Sequence, residues 1–103
     1  TTPLHKAATP EIARMLLKAG ANIRARDRHD RTPLHLWLRK STYLSSARIV
    51  EFVRLAAEYG ADLSAQDGLD GETPLDAALS EQNQAAAELI VRLGGKKRMD
   101  IRR

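Results

Sequence analysis

Histidine side chains are the first candidates for metal binding or acid–base chemistry in this sequence. There are three, His5, His29 and His35. A zinc site needs three or four converging ligands, and the sequence has no cysteine, no His-Glu-x-x-His motif and no closely spaced pair of histidines. His29 lies among arginines, in a polar stretch where we expect it to be solvated. We therefore predict no metal and no other cofactor.

Acidic pairs and a glycine-rich segment are the other candidates for catalysis or phosphate binding. Asp67 and Asp70 lie in a polar stretch that contains two glycines. No apolar neighbour there would raise the pKa of a carboxyl group, so we interpret both as turn formers. The segment 94–97, Gly-Gly-Lys-Lys, lacks the first glycine and the preceding strand of a phosphate-binding loop. We therefore expect no enzymatic activity.

A four-residue motif occurs three times and organises the chain. Thr-Pro-Leu-His stands at 2–5 and at 32–35, and Thr-Pro-Leu-Asp at 73–76. Threonine can cap a helix and proline suits its first turn, while the glycines at 20, 60 and 94 can end one. A second Thr-Pro at 9–10 divides unit one, so we predict three units, each an antiparallel helix pair. The predicted core is Leu4, Ala8, Leu16, Leu17, Leu34, Leu38, Val53, Ala56, Leu75, Ala78, Leu89 and Ile90.

This pattern resembles the ankyrin repeat, in which Thr-Pro-Leu-His opens the first helix, Gly-Ala closes the second and an Asp-rich turn leads to the next unit. The resemblance extends to about Gly95 and gives units 1–31, 32–72 and 73–95, followed by a basic tail at 96–103. It implies an all-α ankyrin-repeat solenoid whose units are joined by short hairpin fingers at 21–31 and 61–72. It also implies that His5 and His35 make structural hydrogen bonds to threonine and to the adjacent finger.

The units depart from the usual ankyrin length of about 33 residues. Thr2 to Thr32 is 30 residues and Thr32 to Thr73 is 41, so the first connection between helices is shortened. The second is expanded around 40–47, where we predict an ordered bulge anchored by Tyr43 or Leu44. Asp30 stands where a turn glycine is expected, and aspartate visits the left-handed conformation more readily than most residues.

Trp37 occupies a position where the neighbouring units have Ala7 and Ala77. A ring of this size must either wedge the helices apart or project toward a groove. Because tryptophan and arginine dominate binding energy at many interfaces, we interpret Trp37 as a partner-binding residue. The alternative is that it fills space left by the irregular connection between the helices.

The two fingers carry opposite charge: the first is rich in arginine and the second has acidic residues only. The resemblance implies that partners meet the concave side, formed by finger tips and first helices. The predicted partner-binding residues are Arg24, Arg26, Arg28, Arg31, Leu36, Trp37, Arg39, Lys40, Asp67, Leu69 and Asp70, with Lys6 beside them. We expect a monomer that binds a protein with an acidic surface and an apolar anchor. The alternative is that neighbouring fingers simply complement each other.

The length of 103 residues and the composition, 43% hydrophobic and 29% charged, indicate one globular domain. No apolar run approaches the roughly 20 residues that span a bilayer. The net charge of +4 lies entirely in the tail, so it is weak evidence for nucleic acid. Two alternatives stay open: a nucleic-acid-associated domain using the first finger and tail, and a structural segment of a longer ankyrin array.

The basic tail has four possible roles: a nuclear import signal, a nucleic-acid contact, a solubilising end, or a cover in which Met99 and Ile101 fold back over the last helix pair. The absence of cysteine mildly favours a reducing compartment. We therefore expect a cytoplasmic protein, with nuclear import as an alternative. The chain begins with Thr1 rather than Met, which leaves an upstream signal open.

Overall fold

The structure, a computed structural model, describes residues 2–42, 44–68 and 71–101. Its α-helices are α1 (Pro10–Lys18), α2 (Pro33–Leu38), α3 (Ser46–Glu58), α4 (Pro74–Ser80) and α5 (Gln84–Arg92). Short 3-10 helices follow at Arg39–Thr42 and Arg98–Asp100. Within these described ranges there is no strand, and the all-α prediction is confirmed.

The helices stack in two layers. In one layer α2 packs on α4, and in the other α1 packs on α3 and α3 on α5. Contacts of α2 with α3 and of α4 with α5 join the layers. Units two and three are therefore the predicted helix pairs, stacked side by side as in a repeat protein.

Unit one differs from the prediction of three complete helix pairs. Residues 3–6 form a turn rather than a helix, closed by the bonds from the Lys6 N–H to the Pro3 carbonyl, 3.1 Å, and from the Ala7 N–H to the Leu4 carbonyl, 3.2 Å. The reason is that Pro10 disfavours helical backbone at Thr9. Too few residues then remain to offset the cost of starting a helix.

The predicted helix starts and turns are confirmed at the sites that the repeat motif marks. The side chains of Thr9, Thr32 and Thr73 each accept a hydrogen bond from a backbone N–H of the first helical turn. Gly60, after α3, has φ 82°, and Asp30 takes the left-handed conformation with φ 59°. Short polar side chains and glycine thus set the element boundaries where the motif predicts them.

Trp37 lies in the core rather than in the groove, which corrects its interpretation as a partner-binding residue. Its side chain is 0% exposed, and its ring stacks on Phe52 with centroids 4.7 Å apart. Its Nε1 donates a hydrogen bond of 3.0 Å to the Leu4 carbonyl in the turn of unit one. The ring therefore fills the space beside the irregular first unit, as the alternative interpretation proposed, with its one polar atom satisfied.

The remainder of the core agrees largely with the prediction. Ala8 is the exception, because it is exposed and Ala7 is buried instead. Leu16 and Leu89 are half-buried and pack against the core. The predicted core also omitted further buried residues contributed by the second helices and first finger: Ala13, Ile23, Ile49, Phe52, Leu55, Ala86 and Ala87.

The expanded connection in unit two is built from a 3-10 helix and a half-buried anchor. The N–H of Leu44 donates to the Lys40 carbonyl at 2.9 Å, and its half-buried side chain packs against the core. Ser45 then caps α3 by accepting from the Arg48 N–H at 3.4 Å. Leu44 is therefore the predicted anchor, whereas Tyr43 lies outside the described residues.

The chain after α5 returns to the body of the domain. The Lys96 N–H donates to Ser64 Oγ at 3.2 Å, and the Arg98 N–H donates to Asp76 Oδ2 at 2.9 Å. Met99 is 86% exposed, so it does not cover the last helix pair as one interpretation of the tail suggested. Ile101, the other residue of that interpretation, is half-buried, and backbone hydrogen bonds attach this segment to the body of the domain.

Replacing Trp37 tests its place in the core. Trp37→Ala should lower the free energy of unfolding by about 3–5 kcal/mol, because it removes a fully buried ring. Trp37→Phe keeps an aromatic ring but leaves one acceptor site of the Leu4 carbonyl unused, and should cost about 1–3 kcal/mol. Urea unfolding followed by circular dichroism measures both. The exposed Leu93→Ala serves as control, and a cost below about 1 kcal/mol for Trp37→Ala would contradict the assignment.

Candidate functional site

Hydrogen bonds of the motif histidines tie the start of each unit to the finger that leads to the next unit. In unit two, His35 Nδ1 accepts from the Thr32 N–H at 3.0 Å and lies 2.9 Å from its hydroxyl. His35 Nε2 lies 2.8 Å from the Glu72 carbonyl. Because a carbonyl only accepts, Nε2 must carry the proton. His35 therefore bridges its own helix start and the end of the second finger.

Unit one repeats this arrangement. His5 Nδ1 lies 2.9 Å from the Thr2 hydroxyl, and His5 Nε2 lies 2.8 Å from the carbonyl of Arg31 at the end of the first finger. His5 is also buried. The structural role that the family resemblance implied for the two motif histidines is thereby confirmed.

Unit three has Asp76 in the place of the histidine. One oxygen, Oδ2, accepts from both the N–H and the hydroxyl of Thr73 at 3.0 Å. A carboxylate cannot donate to a carbonyl. The same oxygen instead accepts from the N–H of Arg98, so the bond to the following segment runs in the opposite direction.

Burial determines the protonation state of His35. It lowers the pKa of the imidazole below its ordinary 6.5, while the bond to the Glu72 carbonyl and the negative charge of Asp67 oppose this shift. A neutral ring is what the bonding requires, since Nδ1 acts as an acceptor. The shifted pKa thus follows from a structural role, not from a catalytic one.

The first finger is organised by the buried carboxylate of Asp27. Its Oδ1 accepts from the backbone N–H groups of His29 and Arg31, each at 2.9 Å, and its Oδ2 pairs with Arg31 Nε at 2.9 Å. Burial raises the pKa of Asp27, but these hydrogen bonds outweigh it and lower the pKa to about 2. Arg31, predicted to meet a partner, therefore belongs to this turn.

Two more arginines of the first finger bind the next unit. Arg24 Nε donates to the Gly60 carbonyl at 2.8 Å. One terminal nitrogen of Arg26 donates to the carbonyls of Asp30, at 2.6 Å, and Gln66, at 2.8 Å. Neighbouring fingers thus complement each other, although through main-chain carbonyls rather than through carboxylates.

The finger tips also touch through backbone alone. The Gly68 N–H donates to the His29 carbonyl at 2.7 Å. A Cβ on Gly68 would lie 2.9 Å from that oxygen and 3.2 Å from Asp30 Cβ. Only glycine therefore permits this approach without displacement of the first finger.

The other predicted site residues fall into three groups. Arg39 is paired with Glu72 and, at 3.6 Å, with Glu81, and the carboxylate of Asp67 accepts from the Glu72 N–H inside its own finger. Arg28 is exposed, and Leu36 and Lys40 are half-buried. Leu69 and Asp70 lie outside the described residues.

Lys6, Arg28 and Lys40 retain uncompensated charge. Within the described ranges, none of these three side chains has a carboxylate within 4 Å. The sequence identified all three as candidates, but it could not separate them from the arginines whose charge is used inside the domain. Across the same ranges, no three histidine or acidic side chains are grouped so as to hold a metal ion.

Stacked helix pairs with bonded fingers define a helical-repeat solenoid. The model of the ankyrin repeat family matches residues 1–28. Rabankyrin-5 of Mus musculus is 35% identical over 94 residues, and Rabankyrin-5 of Homo sapiens is 34% identical over 94 residues. The resemblance to the ankyrin repeat is confirmed, and the chain has the all-α ankyrin-solenoid fold.

The chain corresponds to only a small part of each relative. Each alignment covers 88% of this chain and 7% of the relative. Ankyrin repeats are generally protein–protein interaction modules and are typically not catalytic. None of the described helices is long and apolar enough to cross a membrane.

The neutral state of His35 predicts a dependence of stability on pH. The unfolded chain binds a proton near pH 6.5, whereas folded His35 binds it only at lower pH. The free energy of unfolding should therefore fall as the pH decreases below about 6.5. His35→Gln, measured by urea unfolding at several pH values, should reduce this slope and lower stability. His29→Gln is the exposed control, and an unchanged slope in His35→Gln would contradict the prediction.

The close contact at the finger tips predicts that even a methyl group at position 68 lowers the free energy of unfolding. Gly68→Ala should destabilise the domain by about 1–3 kcal/mol, because the added methyl group overpacks the contact. It should also speed hydrogen exchange of the amide at position 68. His29→Ala is the matched control, since it keeps the backbone carbonyl, and should change stability by less than about 0.5 kcal/mol. Equal effects of the two substitutions would argue against a main-chain contact.

Proposed function

We propose that this chain is a non-catalytic protein–protein interaction module that binds an acidic protein surface. The proposed site consists of the turn at residues 3–6, the tip of the first finger, half-buried Leu36 of α2 and the 3-10 helix that follows it. In the ankyrin family these elements face the concave side. The observation that carries the proposal is the set of uncompensated cations there: Lys6, Arg28 and Lys40.

The hydrogen bonds that hold the first finger in place support binding at this surface. The first finger is held internally by Asp27 and externally by the bonds of Arg24 to Gly60, at the end of α3, and of Arg26 to the second finger. A surface that is ordered before binding loses less conformational entropy when the partner arrives. Arg28 is therefore presented from a fixed turn, and half-buried Leu36 offers apolar contact on α2.

The structural roles of the two residues with lowered pKa values support the non-catalytic interpretation. His35 and Asp27 have lowered pKa values, and both are occupied by hydrogen bonds that stabilise a helix start and a turn. The alternative of nucleic-acid binding by the first finger is not favoured. Arg24, Arg26 and Arg31 are bonded within the protein, which leaves only part of the finger's charge for phosphate groups.

Site-specific photocrosslinking tests the proposed surface. A photoreactive amino acid at position 28 should capture the partner, whereas the same group at Arg54, exposed on α3, should not. Once the captured protein is identified by mass spectrometry, Arg28→Glu should weaken its binding at least ~10-fold, mainly by slowing association. Arg54→Glu is the charge-matched control.

Two results would contradict the proposed function. One is crosslinking from position 54 that equals crosslinking from position 28. The other is capture of nucleic acid with a steep dependence on salt concentration. Melting temperature should be unchanged in both charge-reversed variants, because neither arginine has a carboxylate partner in the described part of the chain.

A further inference from the structure

The outer face of the last helix pair contains an apolar groove. It has a volume of about 410 Å³, and no residue of α2 or α3 lines it. Its apolar lining comes from Leu75 and Leu79 of α4 and from Ala87 and Val91 of α5. Leu79 is 44% and Val91 57% exposed, so this face leaves two large apolar side chains in water.

The rim of the groove is positively charged. Arg92 and Lys97 line it, and within the described ranges neither has a carboxylate within 4 Å. Glu88 is the acidic residue of the lining, and its Oε2 accepts from Gln84 Nε2 at 3.1 Å. The groove therefore combines an apolar floor with a rim of two cations and one carboxylate, which is positive overall.

The backbone on either side of Lys97 is fixed. The Lys96 N–H is bonded to Ser64, and the Arg98 N–H to Asp76. Gly95 is buried, and a Cβ there would collide with Ile90 Cγ2 and lie 3.0 Å from the Leu63 carbonyl. These contacts place the Lys97 backbone at the rim of the groove.

We propose that this groove docks an amphipathic helix of another protein, with apolar side chains entering between α4 and α5 and carboxylates facing Arg92 and Lys97. A channel between two helices is suited to a third helix. Its volume falls within the roughly 300–1,000 Å³ of ligand sites. A second copy of this chain is disfavoured, because it would bring the same cations against this rim.

This surface is separate from the proposed finger-tip site. It is formed by α4, α5 and residue 97, whereas the finger-tip site is formed by the first finger and α2. Reversing Arg28 should leave binding to the groove unchanged. Loss of one function therefore does not imply loss of the other.

A synthetic helical peptide tests the proposal on the intact chain. The peptide carries leucine at every third or fourth position and glutamate beside these leucines. Titration followed by NMR should shift the signals of Leu79 and Val91. Leu79→Ser should weaken binding at least ~10-fold, and so should the double change Arg92→Glu with Lys97→Glu.

The controls are matched in exposure and charge. Leu93 is 43% exposed, nearly as much as Leu79, but it does not line the groove. Leu93→Ser and the exposed Lys18→Glu should therefore bind the peptide as the wild-type chain does. Melting temperatures of all variants should be close to that of the wild-type chain, which separates loss of binding from loss of folding.

Three outcomes would overturn the proposal. The first is equal binding of a peptide with lysine in place of glutamate, which would show that charge plays no part. The second is formation of a dimer in sedimentation that Leu79→Ser abolishes, which would assign the groove to a second copy. The third is stronger binding to phosphatidylserine vesicles than to the peptide, lost in the same variants, which would assign it to a membrane surface.

Discussion

The stacking of this domain depends on one buried interaction, the bridge from a motif histidine to a carbonyl of the following finger. His5 reaches the carbonyl of Arg31, and His35 that of Glu72, in both cases at 2.8 Å. Each carbonyl lies directly before the next Thr-Pro and also accepts from a backbone N–H of its own finger, that of Asp27 or Asp67. Without this acceptor, the Nε2–H of the buried imidazole would be unsatisfied, which would cost free energy. In units one and two, the contact between the motif and the following finger therefore depends on an Nε2 that carries a proton.

Features that depend on local chemistry could be predicted from the sequence. Helix starts at Thr32 and Thr73, the left-handed Asp30 and the anchor Leu44 each follow from a residue type and its near neighbours. Features that depend on two distant segments could not. Trp37 is buried because the turn at Leu4, 33 residues earlier, offers its carbonyl to the indole, and no pattern within α2 indicates this.

The same distinction explains why the candidate site was predicted only in part. Composition identified a basic finger, but the partners of Arg24 and Arg26 are main-chain carbonyls, and every residue type carries a carbonyl. Their use in stacking therefore leaves no trace in the charge pattern. The arginines that hold the second finger thus look the same in sequence as Arg28, whose charge is uncompensated within the described residues.

Unit three has an aspartate where units one and two have a histidine, and this difference affects the outer face of the domain. A histidine at position 76 would need an acceptor from the following segment, as His5 and His35 do, whereas Asp76 needs a donor. The N–H of Arg98 supplies it, only four residues after Gly94. Because this short path holds the Lys97 backbone at the edge of the apolar groove, the aspartate in unit three helps to place a cation on the outer face of this helix pair.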